Sequence, residues 1–121
     1  LTQGYSGSLP YSAPEQLEPG RFGPYGRSGD VFQLGIVLYE TLTGRHPFLL
    51  SGEELALLSP LVVPRRIADP AFNVAPPTSV RAGLPQALDG IVLQALRRPP
   101  RERHREVYLL REALEPVLEG V

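Results

Sequence analysis

The sequence predicts an all-α protein with long connecting loops, and three observations predict it. No stretch alternates apolar and polar residues at the period of two that a half-buried strand requires. Near the C-terminus, Leu88, Ile91, Val92, Ala95 and Leu96, and then Val107, Leu110, Leu114, Val117 and Leu118, recur at three- and four-residue spacing, the mark of amphipathic helices. Between Val31 and Leu42 the chain is apolar on every face, through Phe32, Leu34, Ile36, Val37, Leu38 and Tyr39. A helix without a polar side must be buried on all sides, so this stretch is the expected organiser of the fold.

Taken in order, residues 1–12 are rich in Gly, Ser, Thr and Tyr without an apolar period and read as loop. A short helix is expected at 13–17, with Ser12 as its cap and Pro14 in its first turn, where the missing N–H is not needed. Pro19 to Gly29 reads as loop. The central helix is expected over 28–44. Ser28 and Asp30 offer oxygens to its first turn, Gly44 suits a left-handed C-terminal position, and Pro47 prevents continuation. Gly35 in its middle costs about 1 kcal/mol relative to alanine, which suggests that another backbone packs closely there. A short helix follows at 51–59, ended by Pro60. From Leu61 to Gly83 prolines are frequent and no helical period is visible, so an irregular segment is expected. Helices at 85–97 and 105–119 complete the chain, separated by Pro99-Pro100.

Composition excludes several classes of function. With no cysteine there is no disulfide framework, thiolate nucleophile or thiolate metal site. Two histidines, His46 and His104, do not make a metal centre, and no metal site is expected. His46 reads as a solvated or capping side chain. The net charge of −1 gives no general attraction to nucleic acid or anionic lipid. All 12 basic residues are arginine, which we read as coding bias. The cluster Arg97, Arg98, Arg101, Arg103 and Arg105 is interrupted by Glu102 and Glu106 without interleaved aromatics, so a structural use is favoured over nucleic-acid contact. No apolar run reaches the roughly 18 residues needed to span a bilayer, and the first residues lack the character of a signal peptide. A cytoplasmic location is the resulting expectation. The chain lacks an initial methionine and is expected to begin inside a longer protein. Gly4-Tyr5-Ser6-Gly7 lacks the flanking strand of a nucleophile elbow and reads as loop.

Three separated motifs point to one family. Gly7-Ser8-Leu9-Pro10-Tyr11-Ser12-Ala13-Pro14-Glu15 resembles the Gly-Thr-x-x-Tyr-x-Ala-Pro-Glu end of the activation segment of serine/threonine protein kinases. Asp30 to Gly35, with Gly44-Arg45-His46-Pro47-Phe48, resembles the central helix of the kinase large lobe and its closing Thr-Gly-x-x-Pro-Phe. Leu96-Arg97-Arg98-Pro99-Pro100-Arg101-Glu102-Arg103 is similar to the Leu-x-x-Asp-Pro-x-x-Arg turn before the last kinase helix. Their order and gaps span the chain, and Gln16 after Ala-Pro-Glu fits the bacterial branch. The resemblance implies a partial kinase domain, the C-terminal part of the large lobe.

The resemblance also implies roles for single residues. Glu15 would pair with Arg103, Asp30 would anchor the catalytic loop, and Ser8, Leu9, Pro10 and Tyr11 would form the loop against which a protein substrate docks. Thr2, Ser6 and Ser8 become candidate phosphorylation sites. Serine stands at Ser8 where the pattern has threonine, and Pro99 stands where it has aspartate. The complete enzyme would use ATP and Mg²⁺ to phosphorylate serine or threonine of a protein. This chain contains no lysine, no Gly-x-Gly-x-x-Gly, no catalytic base and no Asp-Phe-Gly metal ligand. It should therefore be inactive alone, with no cofactor of its own. Its expected partners are a protein substrate and the preceding part of the kinase domain, with no nucleic acid and no membrane segment. That preceding part would cover one side of the central helix, so its absence predicts exposed apolar area beyond the few hundred square ångströms usual on a monomer. The alternative is a non-catalytic module, pseudokinase-like or an all-α interaction domain.

Overall fold

The computed structural model describes residues 9–119. Seven α-helices follow one another among them: α1 Pro14–Leu17, α2 Pro19–Phe22, α3 Arg27–Thr43, α4 Val62–Ala68, α5 Pro77–Val80, α6 Ala87–Ala95 and α7 Val107–Glu119. Short helical turns stand at Leu9–Tyr11, Leu55–Leu57 and Pro100–Glu102. No strand occurs among the described residues.

Helix α3 is the hub, packed against α5, α6 and α7. Two apolar clusters share it. Phe32, Ile36 and Tyr39 join Ala13, Phe48, Leu49, Val63, Ile67, Val92 and Leu96 on one side. Val31 joins Leu88, Ala95, Leu110 and Leu114 on the other. Each Val, Leu, Ile or Phe side chain among them, once fully buried, contributes about 1.5–3 kcal/mol. At Gly35 a Cβ would stand 3.0 Å from both Ala95 Cβ and Leu96 Cδ2, so the missing side chain is what lets α6 approach. Gly44 adopts φ +79° and closes the helix through its N–H to Glu40 O, 2.7 Å, a conformation that glycine enters without a Cβ clash.

The third side of α3 is open. Asp30, Val37 and Thr41 are exposed, and Val37 retains 48% of its surface. The helix is therefore not buried on every side, as its composition suggested. Beside it, Leu34 and Leu38 are half-buried against the second cluster.

Several element boundaries differ from the sequence reading. The cap position of α1 is Ala13, not Ser12, and Gln16 Oε1 accepts the Ala13 N–H at 2.8 Å. Helix α3 starts at Arg27 after Gly26, which has no side chain to cap with, so neither Ser28 nor Asp30 holds that place. The stretch read as loop from Pro19 to Gly29 contains α2 and the first residues of α3. The helix expected at 51–59 shrinks to the Leu55–Leu57 turn. Glu53 is diverted there: its carboxylate accepts the Leu50 N–H at 2.6 Å and both Arg66 terminal nitrogens at 2.6 and 3.0 Å, while Glu54 is extended. Conversely, α4 and α5 lie in the segment read as irregular. Pro64 is tolerated in α4 because it falls in the first turn, whose N–H groups have no partner within the helix. On α7 only Leu110 and Leu114 of the expected apolar face are buried; Val107 and Leu118 are exposed.

Candidate functional site

The Leu9–Tyr11 turn lies against the C-terminal end of α3 and the loop that follows it. Tyr11 donates its hydroxyl hydrogen bond to Glu40 Oε2 at 2.9 Å. Burial first, and then this carboxylate, push the Tyr11 hydroxyl up to about 12, so it stays protonated. His46, only 2% exposed, packs edge-on against the Tyr11 ring at 5.3 Å. Its Nδ1 accepts the Phe48 N–H at 3.1 Å and its Nε2 lies 2.7 Å from Pro10 O. The imidazole is thus a buried linker and not a solvated side chain, though it does cap a backbone N–H. Leu9, Pro10 and Tyr11 remain half-buried. Thr2, Ser6 and Ser8 lie outside the described residues.

Behind this turn, the chain passes through α1 into a buried ion pair. Arg103 Nη1 meets Glu15 Oε2 at 2.7 Å and Arg103 Nη2 meets Glu15 Oε1 at 2.8 Å, across 88 positions of sequence. Both side chains have no solvent exposure. The remaining guanidinium N–H groups reach backbone carbonyls: Nε to Arg97 at 2.6 Å, Nη1 to Ser28 at 3.0 Å and Nη2 to Arg98 at 2.8 Å. All five donors of an arginine are used, and the guanidinium stacks over the Phe32 ring at 4.9 Å. One side chain therefore ties α1, the first turn of α3 and the loop before α7 together.

Asp30 stands in the first turn of α3, exposed, where its negative charge suits the helix dipole. Its carboxylate accepts the Tyr25 hydroxyl. Burial and then Asp30 raise the Tyr25 hydroxyl well above the ordinary tyrosine range. The same ring covers Gly29, where any Cβ would collide with it.

Two buttresses were not read from the sequence. Arg98 caps the end of α4 and the loop beyond it, donating to Ile67 O at 3.0 Å, Arg66 O at 3.2 Å and Phe72 O at 2.8 Å. It lies over the Phe48 ring at 4.7 Å, and burial lowers its guanidinium to about 10. Tyr39, fully buried, donates to Ala75 O at 2.7 Å and fastens the loop before α5. The loop carbonyls that they bind leave no mark in the sequence; only the expectation that a buried polar group is satisfied could have led to them. Among the described residues, no three His, Cys, Asp or Glu side chains converge as a metal site, and no helix is long and apolar enough to cross a membrane.

No protein-family model matches the chain. Over 112 residues it is 36% identical to the serine/threonine-protein kinase Pkn1 of Myxococcus xanthus, covering 93% of this chain and 14% of that protein. Over 112 residues it is 34% identical to the tyrosine-protein kinase MasK of the same species, covering 93% of this chain and 16% of MasK. The twitchin kinase region from C. elegans superimposes with a TM-score of 0.65 at 21% identity, covering 91% of this chain and 17% of that structure, a likeness of fold. The chain thus spans about a seventh of the length of the curated relatives it matches. It is homologous to a segment of bacterial serine/threonine protein kinases and has the all-helical fold of the corresponding part of a kinase.

Proposed function

We propose that this chain is the C-terminal segment of the large lobe of a bacterial serine/threonine protein kinase domain. In this reading Leu9, Pro10 and Tyr11, with Ser8, form the loop on which a protein substrate docks. Glu15 and Arg103 fix that loop to the last helices, and Asp30 anchors the catalytic loop supplied by the preceding part of the domain. The observation that carries the reading is the fully buried, bidentate Glu15–Arg103 bridge. The family pattern joins these two positions and nothing in local sequence does. A bidentate guanidinium–carboxylate contact also has the directionality needed to hold a loop in one orientation.

The complete enzyme would transfer the γ-phosphoryl group of ATP, with Mg²⁺, to serine or threonine of a protein. This chain has no lysine and no glycine-rich phosphate loop, and no acidic cluster among the described residues, so in this reading the preceding part of the domain would hold the nucleotide and the metal. The contribution of this chain is positional. It would orient the acceptor protein and carry the catalytic loop on α3, and orientation of reactants is a large part of what lowers such barriers.

A chimaera tests this. The 121 residues replace the matching segment of Pkn1, and the product is incubated with ATP, Mg²⁺ and a generic protein substrate. Transfer to serine or threonine by the chimaera, with none by the chain alone, is expected. A folded chimaera without transfer would overturn the kinase reading in favour of a non-catalytic interaction module. Transfer to tyrosine would reassign the acceptor.

A further inference from the structure

We propose that His46 is the positioning residue of the Leu9–Tyr11 loop, held as the Nε2–H tautomer and donating to Pro10 O. The inference deepens the docking reading above, and rests on it only for what the loop is used for. Its geometry leaves little freedom. The Phe48 amide donates to Nδ1 at 3.1 Å, so that nitrogen carries a lone pair and the proton of the neutral ring sits on Nε2. Nε2 then faces Pro10 O at 2.7 Å, a short and well-filled hydrogen bond.

Proline leaves its carbonyl as the one backbone group available at that position, and His46 satisfies it from a site 36 residues away. The ring is walled by Tyr11 at 5.3 Å and by Phe48 at 6.1 Å. The charged and titratable groups facing it are Glu40, which attracts a proton toward the ring, and the Tyr11 hydroxyl, itself committed to Glu40. Burial outweighs that attraction and keeps the imidazole neutral. The loop is thus fixed twice to the end of α3 and its following loop, through Tyr11 to Glu40 and through Pro10 to His46. Only the second of these sets the backbone.

Two substitutions separate the two nitrogens and a third removes them together. His46→Asn places an acceptor near Nδ1 and nothing near Nε2; His46→Gln places an amide near Nε2; His46→Ala removes both. The turn itself is closed by the Ser12 N–H to Leu9 O, 3.2 Å, so Ser12 amide exchange reports on it. In the full chain, nitrogen-15 spectra should show His46 with Nδ1 unprotonated and Nε2 protonated. His46→Asn should speed Ser12 exchange about tenfold while the Phe48 and Leu110 amides stay within about twofold. His46→Gln should restore Ser12 toward the parent rate. A ring protonated on Nδ1, or averaging between tautomers, would overturn the proposal in the unsubstituted chain, whether or not any variant folds. So would a Ser12 rate that His46→Asn leaves unchanged, or one that rises in step with Leu110. None of these readouts needs catalysis, so failure of the chimaera would count against the kinase reading and leave this one standing.

Discussion

Among the described residues, the Arg103 side chain makes five hydrogen bonds that join three parts of the fold. Replacing it with methionine would strand the Glu15 carboxylate in a dry interior and leave the carbonyls of Ser28, Arg97 and Arg98 without their donor. Breaking such a buried pair costs about 3–5 kcal/mol, and urea unfolding of Arg103→Met should register a loss of that order. Arg27→Met is the control. Its bridge to Glu106 has the same partner types, but the side chains are 78% and 39% exposed. Exposed pairs are worth about 0–1 kcal/mol.

Two acid-sensitive steps can be separated by pH, one from the histidines and one from Glu53. Burial holds His46 below its usual 6.5, as it does His104. The unfolded chain then binds protons first, so stability should fall as pH drops below about 6.5 and level off once the folded imidazoles protonate. His46→Asn should flatten part of that slope. Glu53 behaves in the other window. Arg66, then the Leu50 N–H, hold its carboxyl at about 2 rather than 4.5. Its contribution is complete above 4.5 and is lost as pH falls toward 2. Glu53→Gln should lose that lower step and keep the upper one, read from thermal midpoints across pH.

Among the elements, α3 was readable because its signal is long: apolar residues on every face from Val31 to Leu42, then Gly44 and Pro47 at its end. The two C-terminal helices were readable for the same reason, through their three- and four-residue spacing. Of the short helices, α1 was read at 13–17 from the proline in its first turn, while α2, α4 and α5 were not. Helices α2 and α5 have four residues each, too few for any period to show, and α4 hides a proline in its first turn. Such pieces are held by tertiary contacts more than by propensity; Arg98 on the end of α4 is an example. The helix expected at 51–59 failed because a local competitor, Glu53 with Arg66, offered its backbone and charge a better bond than a helix would.

Gly35 gives a test at this scale. Alanine there would gain about 1 kcal/mol in helix propensity. Its Cβ would meet Ala95 Cβ, which is fixed to the backbone of α6, at 3.0 Å. Overpacking of this kind costs about 1–3 kcal/mol. Gly35→Ala should therefore cost up to about 2 kcal/mol net and bring no gain in stability, measured by denaturant unfolding, whereas a purely helical effect would stabilise the protein by about 1 kcal/mol.

For the whole molecule, what the sequence offered was a resemblance, and what the structure adds is which sides of α3 the chain covers by itself. Motif order suggested that Glu15 and Arg103 face one another. No spacing rule would have joined residues 88 apart, and the carbonyls that share Arg103 were invisible. The open side of α3 is the other molecular feature. Asp30, Val37 and Thr41 lie along it, on the side that the preceding part of a kinase domain is proposed to cover. Because the chain contains no cysteine, Val37→Cys gives a single reporter thiol on that side. The decisive measurement is its labelling rate by a soluble thiol reagent, in the chain alone and within the Pkn1 chimaera, corrected for the chimaera without the substitution. A slowing of at least about tenfold on joining the two parts is expected, since a covered thiol reacts only when the cover opens. Equal rates in a folded chimaera would contradict the claim that this chain is one part of a kinase domain completed on α3.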